Sequence, residues 1–248
     1  MGLQQRAQRA LARQLTYQAK KAGRIRGREA DSISAMVRSS SKVRAMLEAI
    51  HPISPGAHVL EVGSGAHGLI FYFGAERGVG VDPLAKSYAE LFPAWQRRVA
   101  TVAAFGESLP FAGGSFDIVL CDNVVDHAES PAGIMSEMAR VLKPSGLLFF
   151  TVNIHHPIYA VASRLHATWN DLGIGREIGP FADHTVHLTL SSAQRLFEGL
   201  PFRKLEETSN IDEARVVAKQ SIPRHYGDRL KRIFFKNALY GVIAEREN

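Results

Sequence analysis

The chain has 248 residues, 46% of them hydrophobic and 22% charged, and this length suits one α/β domain with additions better than two domains. Its single cysteine, Cys121, excludes an intramolecular disulfide and a cysteine-rich zinc cluster, and its place in an apolar run predicts a buried side chain. No apolar stretch is long enough to span a bilayer, and the N-terminus lacks the apolar core of a secretion signal. We therefore expect a soluble, cytoplasmic protein.

Residues 1–50 are predicted to form a basic helical N-terminal extension. They hold 11 Lys and Arg against 3 Asp and Glu, which leaves a net charge of −2 for residues 51–248 within the total of +6. Apolar residues recur every four positions between basic ones, as a helix with a narrow apolar stripe requires: Leu3, Ala7, Leu11 and Leu15, with Arg6, Arg9, Arg13 and Lys20. A second helix is predicted from about Ala30 to Ile50. The first helix fits four roles: a solvated helix, a lid over the active site, a contact for phosphate-bearing substrates or RNA, or a membrane-surface helix.

The most informative segment is Val59–Gly68, an apolar run with a carboxylate that leads into glycines spaced GxGxxG. It predicts a strand, then a tight loop over residues 63–68, here called the glycine loop, and then the start of a helix. Glycine permits positive φ and has no Cβ, so the backbone can approach a bound molecule and offer its N–H groups. The glycine pattern alone is weak, since it also fits a dinucleotide site or a simple turn.

A second apolar run, Gly78–Val81, ends in Asp82. A carboxylate at the tip of the second strand of a βαβ unit can accept both hydroxyls of a ribose, which indicates a nucleoside ligand. Glu61 argues against a nicotinamide dinucleotide, because an anionic side chain beside the loop would repel a pyrophosphate. A cationic ligand would be attracted. Only residues 68–78 remain for the first helix, so the crossover is predicted to be short.

Three further segments follow in order: Gly106–Phe111 (GESLPF), Ser115–Leu120 (SFDIVL) and Met138–Leu147 (MARVLKPSGL). With the glycine loop, this order resembles the class I S-adenosylmethionine-dependent methyltransferases over about residues 59–153. The resemblance implies a Rossmann-like, doubly wound α/β sheet that is mostly parallel with an antiparallel last strand. It also implies S-adenosyl-L-methionine as the cofactor and methyl transfer by in-line displacement as the reaction.

The resemblance also implies a set of cofactor-binding residues. They are Glu61, Gly63, Ser64 and Gly65 for the methionine end, Asp82 with Pro83 for the ribose, Gly106 and Glu107 for the adenine edge, and Asn123 for the cofactor floor. One position departs from the family, because Phe105 stands where members commonly carry an acidic residue that accepts from the adenine amino group. Either Glu107 or a backbone carbonyl replaces that acceptor, or Phe105 packs on the adenine face.

After Asn153 the alternation of strands and helices stops, and residues 154–187 contain five of the ten histidines. Because ligands lie beyond the carboxyl ends of strands in open α/β sheets, this segment is predicted to be a substrate cap within a methyltransferase domain of residues 51–248. Regular structure is predicted to resume in one helix and two strands: about Ser191–Leu200, Arg203–Thr208 and Phe234–Ala244.

A sulfonium is already a strong electrophile, so alignment of the reactants can suffice, but a hydroxyl or ammonium acceptor needs a base. The candidate catalytic bases are His127, His156 and His184, each of which also fits a hydrogen-bonded loop histidine. The histidines of the cap raise the question of a metal. We expect none, because adjacent histidines on an extended segment point to opposite sides and no helical HxxxH spacing occurs there.

Three functions remain open. The favoured one is a methyltransferase for a small-molecule acceptor, since a long aromatic cap suits a closed pocket. A methyltransferase for RNA or protein would use the basic extension, but positive charge is confined to residues 1–50 and lacks interleaved aromatics apart from Tyr17. A non-catalytic cofactor-binding module is the third, although it would have little reason to keep Glu61, Gly63, Gly65 and Asp82 together.

Overall fold

The computed structural model describes residues 3–158, 187–220, 235 and 237–248. Its strands form one seven-stranded sheet in the order β3-β2-β1-β4-β5-β7-β6. They are β1 (His58–Val62), β2 (Arg77–Val81), β3 (Ala100–Val102), β4 (Phe116–Asp122), β5 (Leu142–Ile154), β6 (Phe202–Ser209) and β7 (Ala238–Arg246). Only β7 runs antiparallel to its neighbours, β5 and β6. The predicted sheet, mostly parallel with an antiparallel last strand, is confirmed.

Helices cover both faces of the sheet. They are α1 (Leu3–Ile25), α2 (Ala30–Glu48), α3 (Ala85–Leu91), α4 (Pro93–Gln96), α5 (Pro131–Val141), α6 (Leu190–Arg195) and α7 (Ile211–Gln220), with 3-10 helices at Leu69–Tyr72 and Val125–His127. None of these described helices combines the length and the apolar character needed to cross a bilayer.

The apolar core has one cluster on each face of the sheet. Successive strand residues point to opposite faces, so Val119 belongs to one cluster and its neighbour Leu120 to the other. Both faces are buried, as is usual for a parallel sheet between helices. Cys121 is fully buried, as predicted, and burial raises the pKa of its thiol well above the ordinary value.

The N-terminal helices pack on this core. In α2, the hydroxyl of Ser40 donates to the carbonyl of Leu69 at 2.7 Å, and Leu47 is fully buried. In α1, Gln18 and Ala22 are buried. Leu11 and Leu15 of the predicted stripe are partly buried, so the inner face of the described part of α1 follows a spacing of three to four residues, as 3.6 residues per turn requires.

Three elements differ from the predictions. The first crossover contains only a 3-10 helix, because Gly74 takes a φ of +78° and ends the helical turn before β2. Helix α7 was not predicted, and β7 begins at Ala238 and extends to Arg246. Most of the predicted cap, residues 159–186, and the segment 221–234 lie outside the described residues.

Candidate functional site

The predicted cofactor residues follow the carboxyl ends of strands, except Glu61, which lies within β1 itself, next to its last residue. The glycine loop follows β1, Asp82 follows β2, Gly106 and Glu107 come after β3, and Asn123 follows β4. Because these four strands are parallel neighbours, their carboxyl ends meet at one edge of the sheet. We call this the carboxyl edge, where ligands bind in open α/β sheets.

The glycine loop makes a tight turn over the end of β2. Gly63 and Gly65 take φ values of +72° and +53°, which other residues rarely adopt. A Cβ on Gly63 would lie 2.4 Å from a methyl carbon of Val124, so no side chain fits there. The backbone N–H groups of Gly63 and Ser64 both donate to the carbonyl of Val81, at 2.7 and 3.0 Å, and Ser64 is buried.

Asp82 joins the glycine loop to the beginning of α3. Its Oδ2 accepts from the N–H of Gly65 at 3.1 Å, and its Oδ1 accepts from the N–H of Leu84 at 2.7 Å. Burial raises the pKa of Asp82, and the two backbone hydrogen bonds oppose that shift. Pro83 follows at the same edge and is partly exposed. Each carboxylate oxygen has a second lone pair, so the side chain can still accept hydrogen bonds from a ligand.

Glu61 lies beneath the loop. Its Oε1 and Oε2 accept from the N–H groups of Leu69 and Ile70, at 3.0 and 2.9 Å, and so cap the first 3-10 helix. A Cβ on Gly68 would lie 2.3 Å from Glu61 Oε2. Burial raises the pKa of Glu61 to about 8, against the effect of these two hydrogen bonds. Glu61 therefore supports the loop from below, and its contact with the methionine end stays a prediction.

The segment after β3, which is predicted to contact the adenine, forms the next part of the carboxyl edge. A Cβ on Gly106 would lie 2.9 Å from Val62 and 3.1 Å from Ile134, so the backbone there packs directly on the core. Glu107 Oε1 accepts from the N–H groups of Glu129 and Ser130, at 3.1 and 3.3 Å, just before α5.

Of the three alternatives for the adenine contact, the two that involve a side chain differ in the contacts that these side chains already make. The side chain of Phe105 is 53% exposed, which is unusual for a phenylalanine. Glu107, in contrast, already bonds the backbone with one of its oxygens. The exposed ring suits the alternative in which Phe105 packs on the adenine face, which stays a prediction.

Asn123 is held between β4 and β5. It has a φ of +58°, and its N–H donates to the carbonyl and the hydroxyl of Thr151, at 3.0 and 3.1 Å. Its Oδ1 accepts from the N–H of Asn153 at 3.0 Å. Both backbone and side chain of Asn123 are thus fixed, which gives the carboxyl edge a rigid floor at this position.

The amino-acid sequence and the fold are similar to those of known methyltransferases. Residues 60–150 match a family model described as a methyltransferase domain. An uncharacterized methyltransferase of Mycobacterium sp. (strain JLS) is 35% identical over 170 residues, which cover 67% of this chain and 56% of that protein. The chain spans about half the length of the curated relatives that it matches.

Solved structures share the fold. One from Bacillus halodurans C-125, itself provisionally assigned as a methyltransferase, has a TM-score of 0.59 at 18% identity and covers 83% of this chain and 99% of its own. Geranyl diphosphate C-methyltransferase from Streptomyces coelicolor A3(2), solved with Mg²⁺, geranyl diphosphate and S-adenosyl-L-homocysteine, has a TM-score of 0.57 at 14% identity. It covers 84% of this chain and 77% of its own. The chain belongs to the class I S-adenosylmethionine-dependent methyltransferases.

Two of the three candidate bases of this methyltransferase can be located. His127 ends the second 3-10 helix, with Nε2 3.9 Å from Asp126 Oδ1 and a side chain that is 48% exposed. His156 follows β5, and its ring centroid lies 5.5 Å from that of Phe235. Burial, and then the charge of Arg215, lower the pKa of His156, so its imidazole is neutral at pH 7 and able to accept a proton. His184 lies outside the described residues.

The cap histidines give no metal cluster within the described part of the chain. His155 is buried, and its backbone N–H donates to the carbonyl of Leu188 at 2.7 Å. Its ring centroid lies 4.8 Å from that of His187. No group of three or more His, Cys, Asp or Glu suited to a metal comes together among the described residues. Asp183 and His184 lie outside them, so the expectation of no metal stays a prediction.

Two residues of the site escaped the sequence analysis. Trp95 Nε1 donates to the carbonyl of Ala66 at 2.7 Å, and Gln96 Nε2 donates to the carbonyls of Gly65 and Ala66 at 2.9 and 3.2 Å. Both side chains are buried. No motif marks them, because they lie about 30 positions from their partners and belong to a four-residue helix without a repeating pattern.

Proposed function

We propose that the chain transfers a methyl group from S-adenosyl-L-methionine to a small-molecule acceptor. The observation that carries this proposal is the contact between the Asp82 carboxylate and the Gly65 N–H, at 3.1 Å, where two neighbouring strands end. An acceptor for ribose hydroxyls then lies directly beside a backbone that can approach the ligand.

The residues at the carboxyl edge fit this cofactor. Among the described residues, a Cβ on Gly65 would meet only the Gly63 carbonyl at 3.8 Å and Asp82 Oδ2 at 4.0 Å, so this part of the chain does not fill the space beside the loop. Glu61 and Asp82 together place two carboxyl groups close to the loop. The Asp82 carboxylate attracts an ammonium or sulfonium group and repels a pyrophosphate, which favours S-adenosylmethionine over a dinucleotide. Glu61, whose pKa of about 8 leaves it mostly protonated at pH 7, adds no full negative charge there.

The proposed contacts divide the cofactor among the loops of the carboxyl edge. The methionine end would be held by Glu61, Gly63, Ser64 and Gly65, the ribose by Asp82 beside Pro83, the adenine by Gly106, Glu107 and Phe105, and the floor by Asn123. Bound S-adenosylmethionine supplies a methyl group on a sulfonium, which is a strong electrophile. The chain then has to hold the acceptor in line with that methyl group. Such alignment can lower the activation free energy by about 7–11 kcal/mol.

An acceptor that must lose a proton needs a base, and His156 is our first choice. Its lowered pKa leaves a ring nitrogen able to take the proton at neutral pH. His156→Ala should lower turnover by about two to four orders of magnitude, while cofactor affinity stays within a few-fold. His127→Ala and His184→Ala test the two other candidates. If all three variants retain full turnover, alignment alone drives the reaction.

Two observations support a small-molecule acceptor. Residues 51–248 carry a net charge of −2, so the methyltransferase domain has no excess of positive charge for a nucleic acid. The Streptomyces coelicolor enzyme of the same fold was solved with geranyl diphosphate, a small molecule.

A second candidate is an RNA or protein methyltransferase. It is favoured by the outer face of α1, where Arg13, Lys20 and Arg24 are exposed beside Tyr17. Under this hypothesis the chain should retain RNA on a filter, with an affinity that falls steeply as salt rises. Weak retention that depends little on salt would count against it.

The central experiment is calorimetric titration of the purified chain with S-adenosylhomocysteine and, separately, with NAD. We expect binding of the first and none of the second, and loss of binding in Gly65→Val, whose branched side chain would enter the free space beside the loop. Absence of binding to a protein with an intact circular dichroism spectrum would refute the proposal. Release of S-adenosylhomocysteine in the presence of a small-molecule extract, measured by mass spectrometry, separates turnover from a non-catalytic binding module.

A further inference from the structure

The outer side of the glycine loop is bonded by side chains from a distant segment. The carbonyl of Gly65 accepts from Gln96 Nε2 at 2.9 Å. The carbonyl of Ala66 accepts from Gln96 Nε2 at 3.2 Å and from Trp95 Nε1 at 2.7 Å. We call Trp95 and Gln96 the loop clamp. Two successive peptide carbonyls are thereby turned toward α4.

The loop clamp is itself firmly packed. Trp95 is fully buried and stacks on Phe92, with ring centroids 5.2 Å apart and an interplanar angle of 22°. The ring of His67, which belongs to the glycine loop, lies 4.9 Å from Phe92 and 5.2 Å from Trp95. Burial, and then the charge of Lys21, lower the pKa of His67 to about 4, so this ring packs as a neutral group at pH 7.

Within the described part of the chain, only the nitrogen of the Gln96 amide forms hydrogen bonds. Its side chain is 2% exposed, and its Oε1 has no hydrogen-bond partner among the described residues. Its Nε2 donates to the two loop carbonyls. A buried polar group without a hydrogen-bond partner lowers the stability of the folded state. The hydrogen bonds from Gln96 Nε2 to the two loop carbonyls explain why a glutamine lies at this position.

The clamp and Asp82 act on the same residue. Gly65 donates its N–H to Asp82 Oδ2 on one side, and its carbonyl accepts from Gln96 on the other. Both polar groups of Gly65 are therefore engaged, which holds its φ of +53° and sets the distance between the loop and the Asp82 carboxylate. Without the clamp, the buried carbonyl of Ala66 and the partly buried carbonyl of Gly65 would have to find other donors by rotating their peptides.

We propose that Trp95 and Gln96 are positioning residues for cofactor binding, which hold the glycine loop in the conformation that receives S-adenosylmethionine without touching it. This inference rests on the proposed function. It adds two residues, from a segment with no recognisable motif, to the machinery that determines cofactor affinity. It also predicts that their loss affects binding more than folding.

The test removes the donors and keeps the packing. Gln96→Met replaces the amide by an apolar chain of similar shape, and Trp95→Phe keeps an aromatic ring against Phe92 but lacks Nε1. The affinity for S-adenosylhomocysteine is measured by calorimetry well below the thermal midpoint of every variant. We expect Gln96→Met to weaken binding about tenfold, since Gly65 loses its carbonyl donor, and Trp95→Phe to weaken it less, since Ala66 keeps Gln96.

The double variant makes the test sharper. Because Ala66 loses both donors only in the double variant, its loss of affinity should exceed the product of the two single effects. Arg98→Met is the matched control, because Arg98 Nε bonds the carbonyl of Phe71, outside the loop, at 3.1 Å. This control should lower the thermal midpoint and leave affinity unchanged.

The outcomes separate this inference from the proposed function. If the wild type binds and both single variants bind within twofold of it, the clamp is merely structural and the inference is overturned, whatever happens to the thermal midpoint. If the double variant does not fold, the single variants decide. If the folded wild type itself fails to bind S-adenosylhomocysteine, the proposed function falls, and this inference falls with it.

Discussion

We expect Asp82→Ala to weaken binding of S-adenosylhomocysteine by roughly 30- to 150-fold. Charge-assisted hydrogen bonds from the ribose hydroxyls to this carboxylate would contribute about 2–3 kcal/mol, and 1.4 kcal/mol corresponds to a factor of ten. The substitution also removes the acceptor for the backbone N–H groups of Gly65 and Leu84. At about 1 kcal/mol for each bond, this should lower the thermal midpoint by roughly 4–8 °C in a domain of this size.

The assay combines calorimetric titration with thermal unfolding, and Asp117→Ala is the control. Asp117 Oδ2 accepts from the N–H of His58 at 2.8 Å, and Asp117 Oδ1 pairs with Lys143 at 2.7 Å, at the amino ends of β1 and β4. The control loses a comparable backbone bond on the opposite edge of the sheet, so its stability should fall without loss of affinity. If folded Asp82→Ala binds within threefold of the wild type, the carboxylate is a loop-holding group and does not bind ribose.

Three other predictions follow from the same geometry. Gly63→Ala should abolish binding and lower the thermal midpoint, since its Cβ would lie 2.4 Å from Val124. Gly23→Ala should leave both unchanged, since a Cβ there meets no atom of the described residues within 4 Å. Deletion of residues 1–28 removes eight positive charges. If α1 covers the site, the cofactor should dissociate faster from the shortened chain in stopped-flow measurements. If both the dissociation rate and the retention of RNA stay unchanged, α1 is a solvated helix without either role. The pKa of Glu61 rises from 4.5 to about 8, so between these pH values the folded chain binds a proton that the unfolded chain lacks. The free energy of unfolding, measured by urea denaturation, should therefore fall as the pH rises from 4.5 to about 8. This fall should disappear in Glu61→Gln.

Local patterns in the sequence were enough to predict the first strands and the glycine loop. Apolar runs of strand length, each ended by a polar or glycine-rich segment, predict strands, and the resemblance to the family implies that these strands form a mostly parallel sheet. The positive φ at Gly63 and Gly65 follows from glycine spacing, because only glycine takes that conformation at low cost. The order of the motifs from Glu61 to the segment before β5 is also a property of the sequence alone, so it was sufficient to recognise the family.

Tertiary structure decided what the polar groups do. The contact of Glu61 with the methionine end stays a prediction, and only the structure shows that its two oxygens bond the backbone eight and nine residues further along. The first crossover, predicted to be short, contains a 3-10 helix at Leu69–Tyr72, because Gly74 with its φ of +78° ends the helical turn before β2. Trp95 and Gln96 could not be found from the sequence, since their partners in the glycine loop lie about 30 positions away. Strand and turn signals lie in neighbouring residues, whereas hydrogen bonds between distant segments exist only once the core has packed those segments together.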